Sequence, residues 1–287
     1  MQHRNLDHFV VSALELDLAR QTYSRLGFAV MPRMRHAAIG TSNHVVQFHD
    51  TYLELIGDMD KCTVESLKRR MLARFEGGEG LSINCLTSSD LMTDRVHLLS
   101  LGRDCDPIIS ARRQVVMPDG RTDETASDCF YVWREDARVW STLFYSQHNK
   151  PQVIWIPQWQ VHPNTVQRVL GISYVSNDLA ADEPYFTDMF QGAPAERGSQ
   201  ALSWHTPRGE TFELLSADGA AKRFGAQAPA PTSLSVVGIG LRYGVTHLAA
   251  CRRALSEGGV PFAESEGVIT VGSEQACGVI SEFVALT

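Results

Sequence analysis

The chain repeats one order of secondary-structure signals four times, and this repetition restricts the fold more than any other feature. In the first copy, LDHFVV at residues 6–11 has the composition of a strand, and LDLARQTYSRLGF from residue 16 has apolar residues along one helical face that ends at Gly27. Three strand candidates follow, AVMPRM, NHVVQF and TYLELIG. The repeating unit is therefore a strand, a helix and three strands in about 55 residues.

The later copies begin with LSINCL at residue 81, VLGISYV at residue 169 and SVVGIGL at residue 235. One unit is too small to close its curved sheet, and it needs a second unit to complete a cavity. The sequence therefore predicts an α+β fold of four βαβββ modules, paired into two cup-shaped mixed sheets with the helices outside. Which modules pair stays open at this point.

A segment between the second and third copies marks the predicted domain division. PQVIWIPQWQVHPNT, residues 151–165, contains three prolines and large apolar or aromatic residues, which is typical of a packed connector rather than a free linker. Trp155 and Trp159 would be costly to expose, so we expect both halves to press on this segment. The predicted domains are residues 1–150 and 166–287, each with two modules.

Composition and charge exclude several classes of function. The 287 residues are 44% hydrophobic and 21% charged, as in an ordinary globular protein. A net charge of −7 without a long basic run lacks the electrostatic signature of nucleic-acid binding. No apolar run approaches the length of a membrane span, and no signal peptide is recognisable, so we expect a soluble, cytoplasmic protein whose partner is a small molecule. It could form a homodimer.

The cysteines indicate no metal or redox motif. They form no CxxC pair and have no tight metal-ligand spacing, so we interpret them as reduced small hydrophobic residues. The six positions are Cys62, Cys85, Cys105, Cys129, Cys251 and Cys277.

One carboxylate interrupts an apolar strand. In TYLELIGD, residues 51–58, Glu54 lies between leucines that indicate a protein core. Burying an ionised carboxylate without partners costs several kcal/mol. Because side chains alternate along a strand, Glu54 shares a face with Tyr52 and Ile56, while the leucines occupy the other face. The sequence therefore predicts a partner for Glu54 and a cavity on its side of the strand.

Two stretches, LDHFVV and RHAAIGTSNHVVQFHDTYLELIGD at residues 35–58, resemble the vicinal oxygen chelate superfamily, and within it the glyoxalase-like domain proteins. In that superfamily βαβββ modules pair to form a cup around a divalent metal ion. The resemblance implies a ligand on the first strand, often His, and a Glu on the last strand. His8 and Glu54 match these positions. An imidazole with a carboxylate suits zinc, iron, manganese, nickel or cobalt.

Further ligand candidates depend on which modules pair. Aligning the final strands places Glu213 and Glu282 opposite Glu54, whereas the second module has Phe144 there, and no second His is aligned with His8. If the first module faces the fourth, His8, Glu54 and Glu282 meet around one ion. If it faces the second module, His148 is the nearest candidate for a third ligand. Without a metal, an arginine such as Arg33 or Arg35 could satisfy Glu54.

The loop RHAAIGTSN supplies candidates for substrate binding. The resemblance places His36 and Asn43 near the cup, where Asn43 could donate a hydrogen bond to a substrate oxygen. Arg35 could bind a substrate carboxylate. A turn stabilised by the Asn and Ser side chains, with solvated arginines, is the alternative interpretation.

The resemblance implies a divalent-metal-dependent lyase or isomerase of the glyoxalase type, acting on a small oxygen-bearing substrate through an enolate-type intermediate. The metal would act as a Lewis acid, and Glu54 or Glu282 would move a proton. Two alternatives stay open. One is an extradiol-type ring-cleaving dioxygenase, which suits a chain of four modules but usually needs a second His. The other is a metal-free protein that binds a small molecule in its cup.

Overall fold

The computed structural model describes residues 4–75, 78–134, 142–228 and 236–286, which form two large mixed β-sheets and six α-helices. The first sheet is built from modules one and two, and the second from modules three and four. The first strand of each module lies in the middle of its sheet, where it pairs antiparallel with the first strand of the partner module. The predicted α+β fold of paired modules is confirmed.

The first half contains fourteen of these elements within the described residues. They are β1 (Leu6–Ser12), α1 (Leu16–Arg25), β2 (Met34–Arg35), β3 (Ser42–Gln47), β4 (Tyr52–Gly57), α2 (Glu65–Phe75), β5 (Gly80–Thr87), α3 (Leu91–Ser100), β6 (Asp104–Cys105), β7 (Ile109–Ala111), β8 (Gln114–Val116), β9 (Thr122–Glu124), β10 (Ser127–Trp133) and β11 (Thr142–His148). The strand order is β2-β3-β4-β1-β5-β11-β10-β6, and β7 also pairs with β10. Strands β8 and β9 form a separate hairpin.

The second half has the same arrangement without the hairpin. Its elements are β12 (Val166–Ser176), α4 (Leu179–Met189), β13 (Glu196–Arg197), β14 (Ala201–His205), β15 (Thr211–Leu215), α5 (Ala217–Phe224), β16 (Val236–Val245), α6 (Leu248–Glu257), β17 (Ala263–Ser265), β18 (Val268–Val271) and β19 (Ile280–Ala285). The strand order is β13-β14-β15-β12-β16-β19-β18-β17. The two sheets therefore have matching centres, β1 with β5 and β12 with β16.

One large apolar core joins the two sheets. Helices α1, α3, α4 and α6 bury their apolar residues in it together with one face of each sheet. Phe28 of the first half lies 5.3 Å from Tyr243 of the second half, measured between ring centroids. Because both halves share this core, their independence as domains stays a prediction. None of the described helices is long and apolar enough to cross a membrane.

The opposite face of each sheet has its own smaller core. On the first sheet, Leu67 and Met71 of α2 pack against the face that carries Val10 and Ile56. On the second sheet, α5 packs in the same way. The repeating pattern did not predict α2, ESLKRRMLARF, because this helix follows the last strand of the first module and has no place in the strand, helix and three strands of the repeat. These faces form the two cups.

The connector packs against the first sheet. The side-chain amide of Gln47 donates a hydrogen bond to the Ile154 carbonyl (2.5 Å) and accepts one from the Ile156 N–H (2.9 Å). Buried His162 accepts a hydrogen bond at Nδ1 from the Ala29 N–H (3.0 Å), and its Nε2–H donates to the Gln47 carbonyl (2.7 Å). A neutral ring satisfies both bonds, whereas a proton on Nδ1 would oppose the Ala29 N–H. Burial accordingly lowers the pKa of His162 to about 4.

We expect His162 to make folding acid-sensitive. The unfolded chain binds this proton below about pH 6.5, but the folded chain binds it only near pH 4. Stability is therefore complete above pH 6.5 and falls as the pH drops, with a loss of about 2 kcal/mol at pH 5. Urea unfolding at pH 7.5 and pH 5 should show a smaller pH effect in His162→Gln than in wild type. An unchanged effect in that variant, or an equal reduction in the exposed control His97→Gln, would contradict the assignment.

Candidate metal centre

The cup of the first sheet encloses about 60 Å³ of space open to water molecules, enough for several waters or an ion with part of its water shell. Its lining divides into two parts. One side is apolar and includes Val10, Ile56, Ile83, Tyr131 and Phe144. The other side is polar and includes His8, His36, Glu54, Arg113 and Ser127. The cavity that the sequence predicts beside Glu54 is present.

His8 faces this cup together with Val10, and a β-bulge at the start of β1 turns Leu6 away from it. The register against β5 pairs Leu6 with Leu86 but His8 with Cys85, so Asp7 is an extra residue in β1. Leu6 consequently packs into the core between the sheets, whereas His8 lines the cup. Strict alternation would have placed both side chains on one face.

His8 is held in one orientation by three neighbours. Its ring stacks on Tyr52, with centroids 4.3 Å apart, and meets the edge of Phe144. Its Nδ1 lies 2.6 Å from Asp7 Oδ1, so Nδ1–H donates to that carboxylate. Nε2 then points into the cup, where it lies 3.8 Å from Glu54 Oε2. That distance is too long for a hydrogen bond.

Glu54 is buried, 6% exposed, and has no direct arginine partner among the described residues. Asn43 Nδ2 donates a hydrogen bond to its Oε1 (2.6 Å), and His36 Nε2 lies 3.5 Å from the same oxygen. Burial alone would raise the pKa of Glu54, but His36, His8 and Arg113, together with the Asn43 hydrogen bond, hold it below its usual value. The carboxylate is therefore ionised.

His36 reaches Glu54 because its loop closes tightly. The His36 carbonyl accepts a hydrogen bond from the Gly40 N–H (2.8 Å), and Gly40 has φ +90° with a backbone oxygen where a Cβ would lie. His36 Nδ1 pairs with Thr41 Oγ1 at 3.0 Å. Burial lowers the pKa of His36, and the negative charge of Glu54 opposes this shift. Both His36 and Asn43 thus lie at the cup, as the sequence predicts.

A second histidine shares the Asp7 carboxylate. His148 Nε2 lies 3.0 Å from Asp7, and its Nδ1 lies 2.7 Å from Ser127 Oγ. Burial alone would lower the pKa of His148, but the negative charge of Asp7 raises it. Burial would likewise raise the pKa of Asp7, but His148 and His8 hold it well below its usual range. His148 therefore contributes to the site through Asp7.

The arginines singled out from the sequence lie elsewhere. Arg35 is exposed and lines an outer groove beside Val115 and Trp159 instead of the cup. Arg33 lies 2.7 Å from Asp58 and does not pair with Glu54. The proposed roles of Arg35 as a substrate ligand in the cup and of either arginine as the partner of Glu54 are therefore wrong.

Glu282 does not join His8 and Glu54, because the first module pairs with the second and not with the fourth. Glu282 lies on β19 in the other sheet, where Arg223 Nη2 binds it at 2.7 Å. Arg223 also pairs with Glu213 on β15. The predicted ligand set with Glu282, and its catalytic role beside His8, are corrected accordingly. One arginine from α5 pairs with both acids of the second cup.

The strand register confirms the equivalence of Glu54, Glu213 and Glu282. In each of these modules, one position of the first strand pairs with the residue that lies two positions before the Glu. That position is His8 in β1, and it is Ile83, Gly171 and Gly240 in β5, β12 and β16. No second His occupies the position in the described strands.

Two residues of the site were missed from the sequence, Asp7 and Arg113. Asp7 is an ordinary strand residue unless the bulge is known, although the pair Asp7–His8 was a usable signal. Arg113 lies before β8, where the chain forms an isolated bridge to His36. Its place beside the cup follows from this long-range pairing.

The donor groups fit a divalent metal ion between His8 Nε2 and Glu54. Typical zinc-to-nitrogen and zinc-to-oxygen bonds are about 2.0–2.2 Å, so one ion can contact both atoms across 3.8 Å. Asp7 supplies the carboxylate that commonly orients a metal-binding imidazole from behind. Donor atoms of Asp7, His8 and Cys85 also lie within 4.8 Å of one another. That group fits less well, because burial raises the pKa of Cys85 and Asp7 already binds two histidines.

A family model, the glyoxalase-like domain, matches residues 6–186, well over half of the chain. The chain belongs to the glyoxalase-like domain family. The predicted membership of the vicinal oxygen chelate superfamily is thereby confirmed, and the family match spans every residue of the candidate centre. No curated protein matches the sequence.

Solved structures share the glyoxalase-like fold over nearly the whole chain. A hypothetical protein from Staphylococcus aureus is 12% identical, with a TM-score of 0.71 over 99% of this chain and 100% of that one. A mutant of 4-hydroxymandelate synthase from Streptomyces coelicolor is 12% identical, with a TM-score of 0.58 over 99% and 93%. A xylose isomerase-like TIM barrel/4-hydroxyphenylpyruvate dioxygenase fusion protein is 10% identical, with a TM-score of 0.56 over 99% and 49%. At these identities the likeness shows the fold alone.

We expect Asp7→Asn to lower the pKa of His148. The carboxylate of Asp7 raises that pKa against burial, so its removal leaves burial as the main influence. NMR titration of the histidine ring signals measures the change, and the exposed Asp119→Asn serves as the control. An unchanged His148 titration in Asp7→Asn would show that the two groups are not paired in solution.

Proposed function

We propose that the cup holds a divalent metal ion between His8 and Glu54, and that the protein is a metal-dependent glyoxalase-like lyase or isomerase acting on a small oxygen-bearing substrate. The observation that carries the proposal is the 3.8 Å separation of His8 Nε2 and Glu54 Oε2. Two acceptor atoms point at the same space, too far apart to share a hydrogen bond and close enough to share one cation.

The second cup offers an internal comparison. There the equivalent acids, Glu213 and Glu282, are both paired with Arg223. An acid at this strand position that has only a structural role can thus be stabilised by an ion pair with an arginine. Glu54 has no such ion pair among the described residues, although it is more deeply buried. This difference supports a functional first cup and a structural second cup.

When bound, the ion supplies a Lewis acid that polarises a carbonyl or hydroxyl oxygen of the substrate. The protein's own groups orient the substrate and manage its protons. Ionised Glu54 can serve as a ligand or accept a proton from a substrate carbon, and Asn43 fixes the orientation of its carboxylate. The apolar wall with Tyr131 and Phe144 keeps bulk water away from the reacting atoms.

Metal content tests the proposal. We expect His8→Ala and Glu54→Gln to weaken zinc binding by more than about 100-fold, because loss of an outer hydrogen-bond partner alone costs about 10–100-fold. Metal analysis after purification without chelator, and competition titration, measure the effect. Glu213→Gln is the matched control and should keep the wild-type stoichiometry. A wild type that holds no metal even after loading, or a loss confined to Glu213→Gln, would contradict the assignment.

A second candidate function rests on His36. With His8 and Glu54 it brings two imidazoles and one carboxylate to one cup, with His8 facing Oε2 and His36 facing Oε1 of Glu54, so a shared ion would require these side chains to move closer together. This donor set is the one used by non-haem iron(II) oxygenases. The fold shared with 4-hydroxymandelate synthase is consistent with that chemistry.

Oxygen consumption distinguishes the two candidates. If the cup serves an oxygenase, protein loaded anaerobically with iron(II) should consume oxygen when catechols or hydroquinones are added. His36→Gln should then abolish uptake while iron binding through His8 and Glu54 is only weakened. Zinc-loaded protein that turns over a substrate without oxygen would favour the lyase or isomerase.

A further inference from the structure

Arg113 is a buried cation without a carboxylate partner. The residue is 7% exposed and lines the cup, yet no carboxylate of the described residues lies within 4.0 Å of its guanidinium. Its Nη1 donates to the Met34 sulfur at 3.0 Å, and a thioether is a weak acceptor. A buried guanidinium of this kind has most of its five donors available.

The backbone holds Arg113 firmly at this place. Its N–H donates to Thr125 Oγ1 (3.1 Å), and its carbonyl accepts from the Thr125 N–H (2.9 Å). The bridge to His36 ties the same residue to the first module. Arg113 therefore sits where the two modules meet, on the polar side of the cavity that contains His8 and Glu54.

With a divalent ion bound, the charges around the cup favour an anionic ligand. Glu54 and Arg113 carry one opposite charge each, so an ion bound beside Glu54 would leave an excess of positive charge. An unpaired buried charge is costly, and a planar guanidinium matches a carboxylate with two parallel hydrogen bonds. In the second cup Arg223 meets this need with two glutamates of the chain itself. Arg113 has no such direct ion pair with an acid of the described residues, although its charge acts on Glu54 in the same cup.

We propose that Arg113 binds the carboxylate of the substrate, so that the substrate is a small organic carboxylic acid with a second oxygen directed to the space between His8 and Glu54. The position of the second oxygen rests on the proposed function, whereas the carboxylate site rests on the observations about Arg113 alone. The small volume of the cup restricts the acid to a few carbon atoms or requires the cup to open.

Binding of defined acids tests the site. The probes are glyoxylate, pyruvate and 2-oxobutyrate, each compared with its methyl ester and with inorganic phosphate, by calorimetry on the full chain as purified and after zinc loading. We expect at least one acid to bind wild type, and Arg113→Gln to weaken it at least about 10-fold. The ester should bind weakly and should not respond to the substitution. Arg35→Gln, an exposed arginine of the outer groove, should change the affinity less than about 2-fold.

Arg113→Lys keeps the charge without the planar fork, and it decides the question if Arg113→Gln does not fold. An intermediate affinity is expected for it. Equal affinity for the acids in wild type and both variants, no preference for any acid over its ester, or Arg113-dependent binding of phosphate alone would overturn the inference. If the acids bind in an Arg113-dependent way to a protein that holds no metal, the proposed metal-dependent function is contradicted, but the carboxylate site at Arg113 is supported. If zinc binding is intact and the Arg113 variants bind the acids as tightly as wild type, only the carboxylate site is contradicted.

Discussion

The buried carboxylate of Glu54 is the constraint on which the rest of the site depends. Its charge lies in an apolar sheet, and burial without compensation would cost several kcal/mol. The chain compensates it in part with the Asn43 hydrogen bond and with His36, but it leaves Oε2 facing His8 without a hydrogen bond. The cup is thus arranged around a position that a cation would stabilise.

A local irregularity of β1 supports this arrangement. His8 faces the cup by regular alternation with Val10, and the bulged residue Asp7 places its carboxylate against Nδ1 of the His8 ring. The stack on Tyr52 then fixes the ring plane. The second sheet, whose equivalent position is Gly171 or Gly240, has instead an arginine between its acids.

The sequence alone was sufficient to predict the architecture and the pair of His8 and Glu54 in the site. Periodicity predicts the modules, and alternation along β4 predicts which face of Glu54 lines a cavity. Module pairing could not be predicted, because it depends on contacts between distant strands, and the expectation for Glu282 failed with it. Arg113 was missed for the same reason, since a bridge of long sequence separation brings it to His36. Asp7 was missed because its role requires the bulge.

Anomalous diffraction from crystals of the zinc-loaded protein tests the central claim most directly. The account requires one peak at the zinc absorption edge inside the first cup, about 2.0–2.2 Å from both His8 Nε2 and a Glu54 oxygen. The second cup should have no peak, because Arg223 already occupies the place between its two acids and pairs with both. A first cup without a peak, with Glu54 bonded directly to Arg113 or to a protonated His8, would contradict it.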